Sequence, residues 1–104
     1  MVTKSATFPV NIYQALQQLT GEARVEQALP IALKDLIRFK LRALDEKIAA
    51  FEQKYGLDFV EFERAWEAGR IENPYSYEVE KDDIDWEIAI NQRKDLEIIA
   101  KWLE

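Results

Sequence analysis

The chain has 104 residues, 48% hydrophobic and 33% charged, with a formal net charge of −6, which makes one globular domain and excludes a disordered chain. It contains neither cysteine nor histidine, which excludes disulfides, thiolate metal sites, cysteine nucleophiles and the commonest general base near neutral pH. No apolar run approaches the ~20 residues of a membrane span, and the opening MVTKSATFPV has no signal-peptide hydrophobic stretch, so a cytoplasmic protein is expected.

Residues 2–8 alternate, with Val2, Ala6 and Phe8 on one parity and Thr3, Ser5 and Thr7 on the other, while Lys4 breaks the apolar side. That pattern reads as a short strand or extended arm, and Pro9 stops any ladder. Asn11 as N-cap with Gln14 three residues on forms a capping-box pattern. The spacing of Ile12, Leu16 and Leu19 then predicts a short helix over 11–20, closed by Gly21.

The next segment carries the architecture. Leu33, Ile37, Leu41, Leu44, Ile48, Phe51 and Tyr55 recur at steps of three and four, close to a heptad seam. The opposite face is charged. A long central helix is therefore predicted over about 30–55, roughly 39 Å at 1.5 Å per residue, with Pro30 in its first turn. The spacing of Val25, Ala28, Leu29 and Leu33 also allows an earlier turn, bent at the proline. Such a helix outruns what the rest of the chain covers, so Ile37, Leu41, Leu44, Ile48 and Phe51 are candidates for an oligomer seam.

Gly56 ends that helix. Asp58 and Glu61 form an Asp-x-x-Glu capping pair, with Leu57 and Phe62 as its hydrophobic staple, and predict a helix over 58–69 folded back on the long one. Its apolar face is Phe59, Phe62 and Trp66. Residues 70–82 contain Asn73-Pro74 and the alternating Tyr75, Tyr77 and Val79, and read as an extended crossing segment. A C-terminal helix follows over 83–103. It carries two apolar stripes, one through Ala89, Leu96, Ile99 and Leu103 and one through Ile84, Ile88, Ile98 and Trp102. A helix apolar on two faces is wedged between others or offers one face to a partner.

The predicted fold class is mostly α, a helical bundle in one domain over 1–104. Its parts are an N-terminal arm and short helix (1–29), a helical hairpin (30–69), and an acidic crossing segment with the C-terminal helix (70–104).

Charge divides the chain. Residues 1–42 hold six basic and three acidic side chains, which leaves eight basic and seventeen acidic over 43–104. Halves of opposite sign suit different partners. The stretch Glu78, Glu80, Asp82, Asp83, Asp85 and Glu87 invites a Ca²⁺ or Mg²⁺ reading, but lacks the glycine and terminal glutamate spacing of an EF-hand. It suits the negative charge that a helix start favours. No phosphate-binding loop, nucleophile elbow or zincin motif occurs. The sequence therefore leads to a non-enzyme with no cofactor and no metal site.

The aromatic set is dense in the acidic half. Trp66, Tyr75, Tyr77, Trp86 and Trp102, with Glu78 and Glu80, are the candidate partner-binding residues. At the other end, the order of arm, short helix and long helix resembles the ribbon–helix–helix DNA-binding fold over residues 2–45. In that fold Thr3, Ser5 and Thr7 would face outward, with Lys4 on the other parity, as nucleic-acid candidates.

FEQKYGLDFVEFERAWEAG (51–69) followed by SYEVEKDDIDWE (76–87) resembles a group of small acidic helical proteins of archaea and cyanobacteria, regarded as antitoxin-like members of toxin–antitoxin pairs. The resemblance covers mainly residues 49–102. It implies that the acidic C-terminal part wraps a basic toxin while the N-terminal part dimerises or binds DNA. The N-terminal region departs from it, having no clear DNA-binding signature. The leading expectation is thus a regulatory protein that sequesters a basic protein partner. The alternatives are a homo-oligomeric structural or adaptor protein, such as a homodimer whose long helix pairs with its copy, and a ribbon–helix–helix-like DNA-binding dimer through residues 2–45. A third is an enzyme working through carboxylates alone.

Overall fold

The computed structural model describes residues 7–104. Four helices follow one another, α1 (Val10–Thr20), α2 (Val25–Tyr55), α3 (Phe59–Glu67) and α4 (Tyr77–Trp102), with no strand among the described residues. The mostly α class holds. Residues 2–6 of the predicted arm lie outside the described residues; Thr7 and Phe8 have no regular structure, and the Phe8 ring meets Tyr13 edge-on at 5.8 Å.

α1 begins one residue earlier than the sequence pattern indicates. Pro9, not Asn11, occupies the N-cap, and no side chain caps the helix. Its carbonyl accepts from the Ile12 and Tyr13 amides at 3.0 and 3.4 Å. A proline already fixed at φ −57° leads the chain straight into the helix, so Asn11 becomes an internal residue. Gly21, at φ 73°, closes α1 as predicted, its amide bonded to the Gln17 carbonyl at 2.9 Å.

The long helix is longer than predicted. α2 has 31 residues and starts at Val25, the earlier turn that the apolar spacing allows, running through Pro30, a length of about 46 Å. The missing Pro30 amide forfeits a bond to the Glu26 carbonyl. Tertiary packing outweighs that loss: α1 packs on α2, and Ala28 in its opening turns is buried. Gly56, at φ 68°, ends it as predicted.

At α3 the local rules all hold. Asp58 accepts from the Glu61 amide at 2.8 Å and Glu61 accepts from the Asp58 amide at 3.1 Å, a complete capping box. The exit is a Schellman pair, with the Arg70 amide on the Ala65 carbonyl at 2.8 Å and Gly69 on Trp66 at 3.0 Å.

The crossing segment is the main correction. α4 starts at Tyr77, six residues before the predicted start at Asp83. Ser76 caps it by accepting from the Val79 amide at 3.3 Å. What reads as extended over 70–82 is a short turn through Asn73 (φ 49°) and then helix. Three alternating positions mimic a strand, but Val79 and Trp86 lie seven residues apart and share the inward helical face.

α2 and α4 run antiparallel, since Lys54 bonds Asp82 and Asp45 bonds Arg93. α3 folds over the end of α2 and the start of α4. The core lies there: Phe62, Val79 and Trp86 are buried, with Ile48, Phe51, Tyr55, Leu57, Phe59, Trp66, Ile71 and Ile90 packed around them. Further along, α2 and α4 form a two-helix ribbon. The molecule spans 57 × 30 × 19 Å with a radius of gyration of 20.0 Å, against about 13 Å for a compact chain of this length.

Candidate functional site

The site is best built outward from Trp86, which is 0% exposed. Its ring lies 5.2 Å from Phe59 and from Phe62, 5.5 Å from Phe51 and 5.9 Å from Tyr55. The placement of Trp86 among the partner-binding residues is therefore corrected: seven residues on from Val79, it faces inward and forms the centre of the core. Its Nε1 has no hydrogen-bond partner.

One layer out, α2 and α4 are joined by a polar cluster. Lys54 donates to Asp82 at 2.5 Å and to Glu78 at 2.6 Å, and the Tyr55 hydroxyl donates to Asp82 at 2.6 Å. Burial pushes the Tyr55 phenol up to about 12, helped by the Asp82 bond. Burial alone would raise the Asp82 carboxyl, but the bonds from Lys54 and Tyr55 outweigh it and hold it below the usual carboxylate range. The bonds to Asp82 and Glu78 raise the Lys54 ammonium. An open cleft of about 570 Å³ lies against this cluster, lined by Lys54, Tyr55, Arg70, Ile71 and Glu78. Sequence reasoning missed the cluster, because partners 24 and 28 residues apart leave no local pattern.

The outermost layer is aromatic and acidic. Trp66 is half-buried, edge-on to Phe62 at 5.8 Å and to Tyr75 at 6.3 Å. Tyr75 and Tyr77 are each 80% exposed, one on the turn before α4 and one in its first residue. Glu78 and Glu80 lie exposed in the same first turn. The structure thus brings Trp66, Tyr75, Tyr77, Glu78 and Glu80 to one corner. Trp102 is exposed but lies at the far end of α4, about 37 Å away along the helix.

On the flank between α3 and α4, burial raises the Glu63 carboxyl, and the Asp83 charge adds to the rise. Among the described residues no group of three or more acidic side chains is arranged to hold a metal ion. No described helix is long and apolar enough to cross a membrane.

The seam proposed for oligomerisation turns inward. Ile37 is buried, Leu41 and Leu44 are half-buried, and Ile48 and Phe51 pack on the core. Ile48 and Phe51 serve this chain's own core and Ile37 is buried, so an exposed seam through those three is corrected, while Leu41 borders a groove of α2 residues alone. Of the nucleic-acid candidates, Thr3, Lys4 and Ser5 lie outside the described residues, and Thr7 is exposed. Comparison with protein-family models, curated proteins and solved structures finds no match.

Proposed function

We propose that this chain is a non-catalytic, antitoxin-like binding protein that holds a basic protein partner on the acidic, aromatic corner between α3 and α4. The observation that carries this reading is the pair Tyr75 and Tyr77, each 80% exposed beside Glu78 and Glu80. Tyrosine offers a large apolar ring with a polar tip at low entropic cost, and anchors of this kind dominate interface energies. The carboxylates around them would steer a basic partner and select against acidic ones. Trp66, half-buried behind Tyr75, supports that ring from below. The surplus of acidic side chains over 43–104 extends the same field along the helix.

Co-expression with the product of the adjacent reading frame, followed by titration of the purified pair, tests the reading. The Tyr75→Ala, Tyr77→Ala double variant is expected to weaken binding by about 30-fold or more, the loss of roughly 2 kcal/mol typical of a hot-spot anchor. Glu80→Gln is expected to lower the association rate and its dependence on salt. A neighbouring product that neither binds nor is toxic would sink the proposal, and so would binding indifferent to the two tyrosines.

A further inference from the structure

We propose that a second copy of this chain covers the outer face of α4, the two α4 helices pairing antiparallel along residues 84–102. Lys81, Ile84, Ile88, Asn91, Asp95, Ile98 and Trp102 follow steps of three and four without a break, and every one of them is exposed. That is the a/d seam of a coiled coil on the outer side of α4, its middle residues Asn91 and Asp95 bordering the grooves toward α3 and α2. The inner side is already occupied, with Val79 and Trp86 in the core and Asp82 and Arg93 bonded to α2. Ile84 with Ile88 and Ile98 with Trp102 form two exposed apolar pairs on one line of the helix, an arrangement that scattered single exposed residues do not make.

The pattern also says what covers the seam. Over residues 84–102 its apolar residues lie at the two ends and its polar residues in the middle, so that stretch is complementary to its own reverse. Antiparallel pairing in one register sets Ile88 opposite Ile98 of the second copy and Ile84 opposite Trp102. Asn91 then meets Asp95 beside the two-fold axis. Each layer occurs twice, as an isologous interface requires. On one flank the same register brings Glu87 opposite Lys101 of the second copy, an opposite-charge pair also made twice. Parallel pairing would instead stack Asp95 on Asp95 inside the seam, which like-charge repulsion opposes.

Steric access agrees. The core cluster that anchors α3 to α4 reaches only to Ile90, short of the half of α4 that receives the partner's Ile84 and Ile88. The extended shape has the same origin: a ribbon of two helices is half of a four-helix bundle. This inference goes beyond the partner reading and is independent of it, since Tyr75 and Tyr77 lie outside the paired stretch.

Sedimentation equilibrium over a wide concentration range is the first test, with a reversible dimer expected. Ile88→Asp and Ile98→Asp, each checked for retained helicity by circular dichroism, should raise the dissociation constant at least about tenfold, since each buries a charge in an apolar layer. Register is tested by charge exchange: Glu87→Lys and Lys101→Glu each weaken the dimer, and the double variant regains the lost affinity. Direction is read from oxidation of single cysteines, which this cysteine-free chain permits. Lys94→Cys, beside the axis, should cross-link two copies, and Lys81→Cys should not. A chain that stays monomeric at the highest concentration overturns the proposal. So does a dimer indifferent to Ile88→Asp and Ile98→Asp, a double charge variant no tighter than its singles, or cross-linking through Lys81→Cys.

Discussion

Trp86 and Asp82 on α4 and Glu63 on α3 show how neighbouring positions of one corner fall in different environments. Trp86 fills the centre of the core, so Trp86→Ala should cost about 3–5 kcal/mol in urea unfolding. Trp102→Ala, at an exposed position, should change the stability of the monomer by less than about 0.5 kcal/mol. Asp82 accepts two bonds, one from a tyrosine and one from a lysine that is itself well solvated. Asp82→Asn is therefore expected to cost about 1–2 kcal/mol, screening having reduced the ionic part. The more exposed Glu78 should matter less, and equal losses for Asp82→Asn and Glu78→Gln would refute this ranking.

The two displaced carboxyls act in opposite directions with pH. Asp82 is lowered on folding, so its contribution is full above the ordinary carboxylate range and disappears as pH falls through its lowered value. Glu63 is raised on folding, so its contribution is full below that range and is lost as pH rises through its raised value. At neutral pH the Glu63 charge therefore works against the fold. Glu63→Gln should raise the melting temperature at pH 7 and lose that advantage in acid; a lower melting temperature at pH 7 would contradict the argument.

Helix ends were legible wherever one residue type serves one geometry. Gly21, Gly56 and the Asp58–Glu61 box were readable because a left-handed residue and a reciprocal cap are local events. Asp58→Ala and Ser76→Ala are each expected to lose about 1 kcal/mol. The failures arose where tertiary packing outweighs local preference. Pro30 left the start of α2 open between the proline and Val25, and packing around Ala28 and α1 holds the turns before the proline. Pro30→Ala should accordingly stabilise the protein by about 1–3 kcal/mol, measured as a higher urea midpoint. An unchanged or lower midpoint would mean that the ring itself makes a compensating contact. The start of α4 was misplaced for a different reason: Tyr75, Tyr77 and Val79 alternate by accident, and three positions do not distinguish a strand from a helix.

At the scale of the whole molecule, a single core at one end leaves the rest of α2 and α4 as an extended ribbon. A monomeric Ile88→Asp variant should keep a radius of gyration near the 20.0 Å of this structure in small-angle scattering. A value near the ~13 Å of a compact chain would mean that α1 and the far ends of α2 and α4 fold back on the core.

The sequence by itself determined the helical class, the turns at Gly21 and Gly56, and the presence of two apolar stripes on the last helix. These follow from periodicity and from backbone rules that act within a few residues. Only the tertiary structure decided which stripe of α4 the chain buries, that Ile48, Phe51 and Tyr55 of the α2 seam serve the chain's own core, and that Trp86 packs while Tyr75 and Tyr77 remain outside. Those choices depend on where α3 lands and on partners more than twenty residues away, such as Lys54 and Asp82. No local pattern records such a distance.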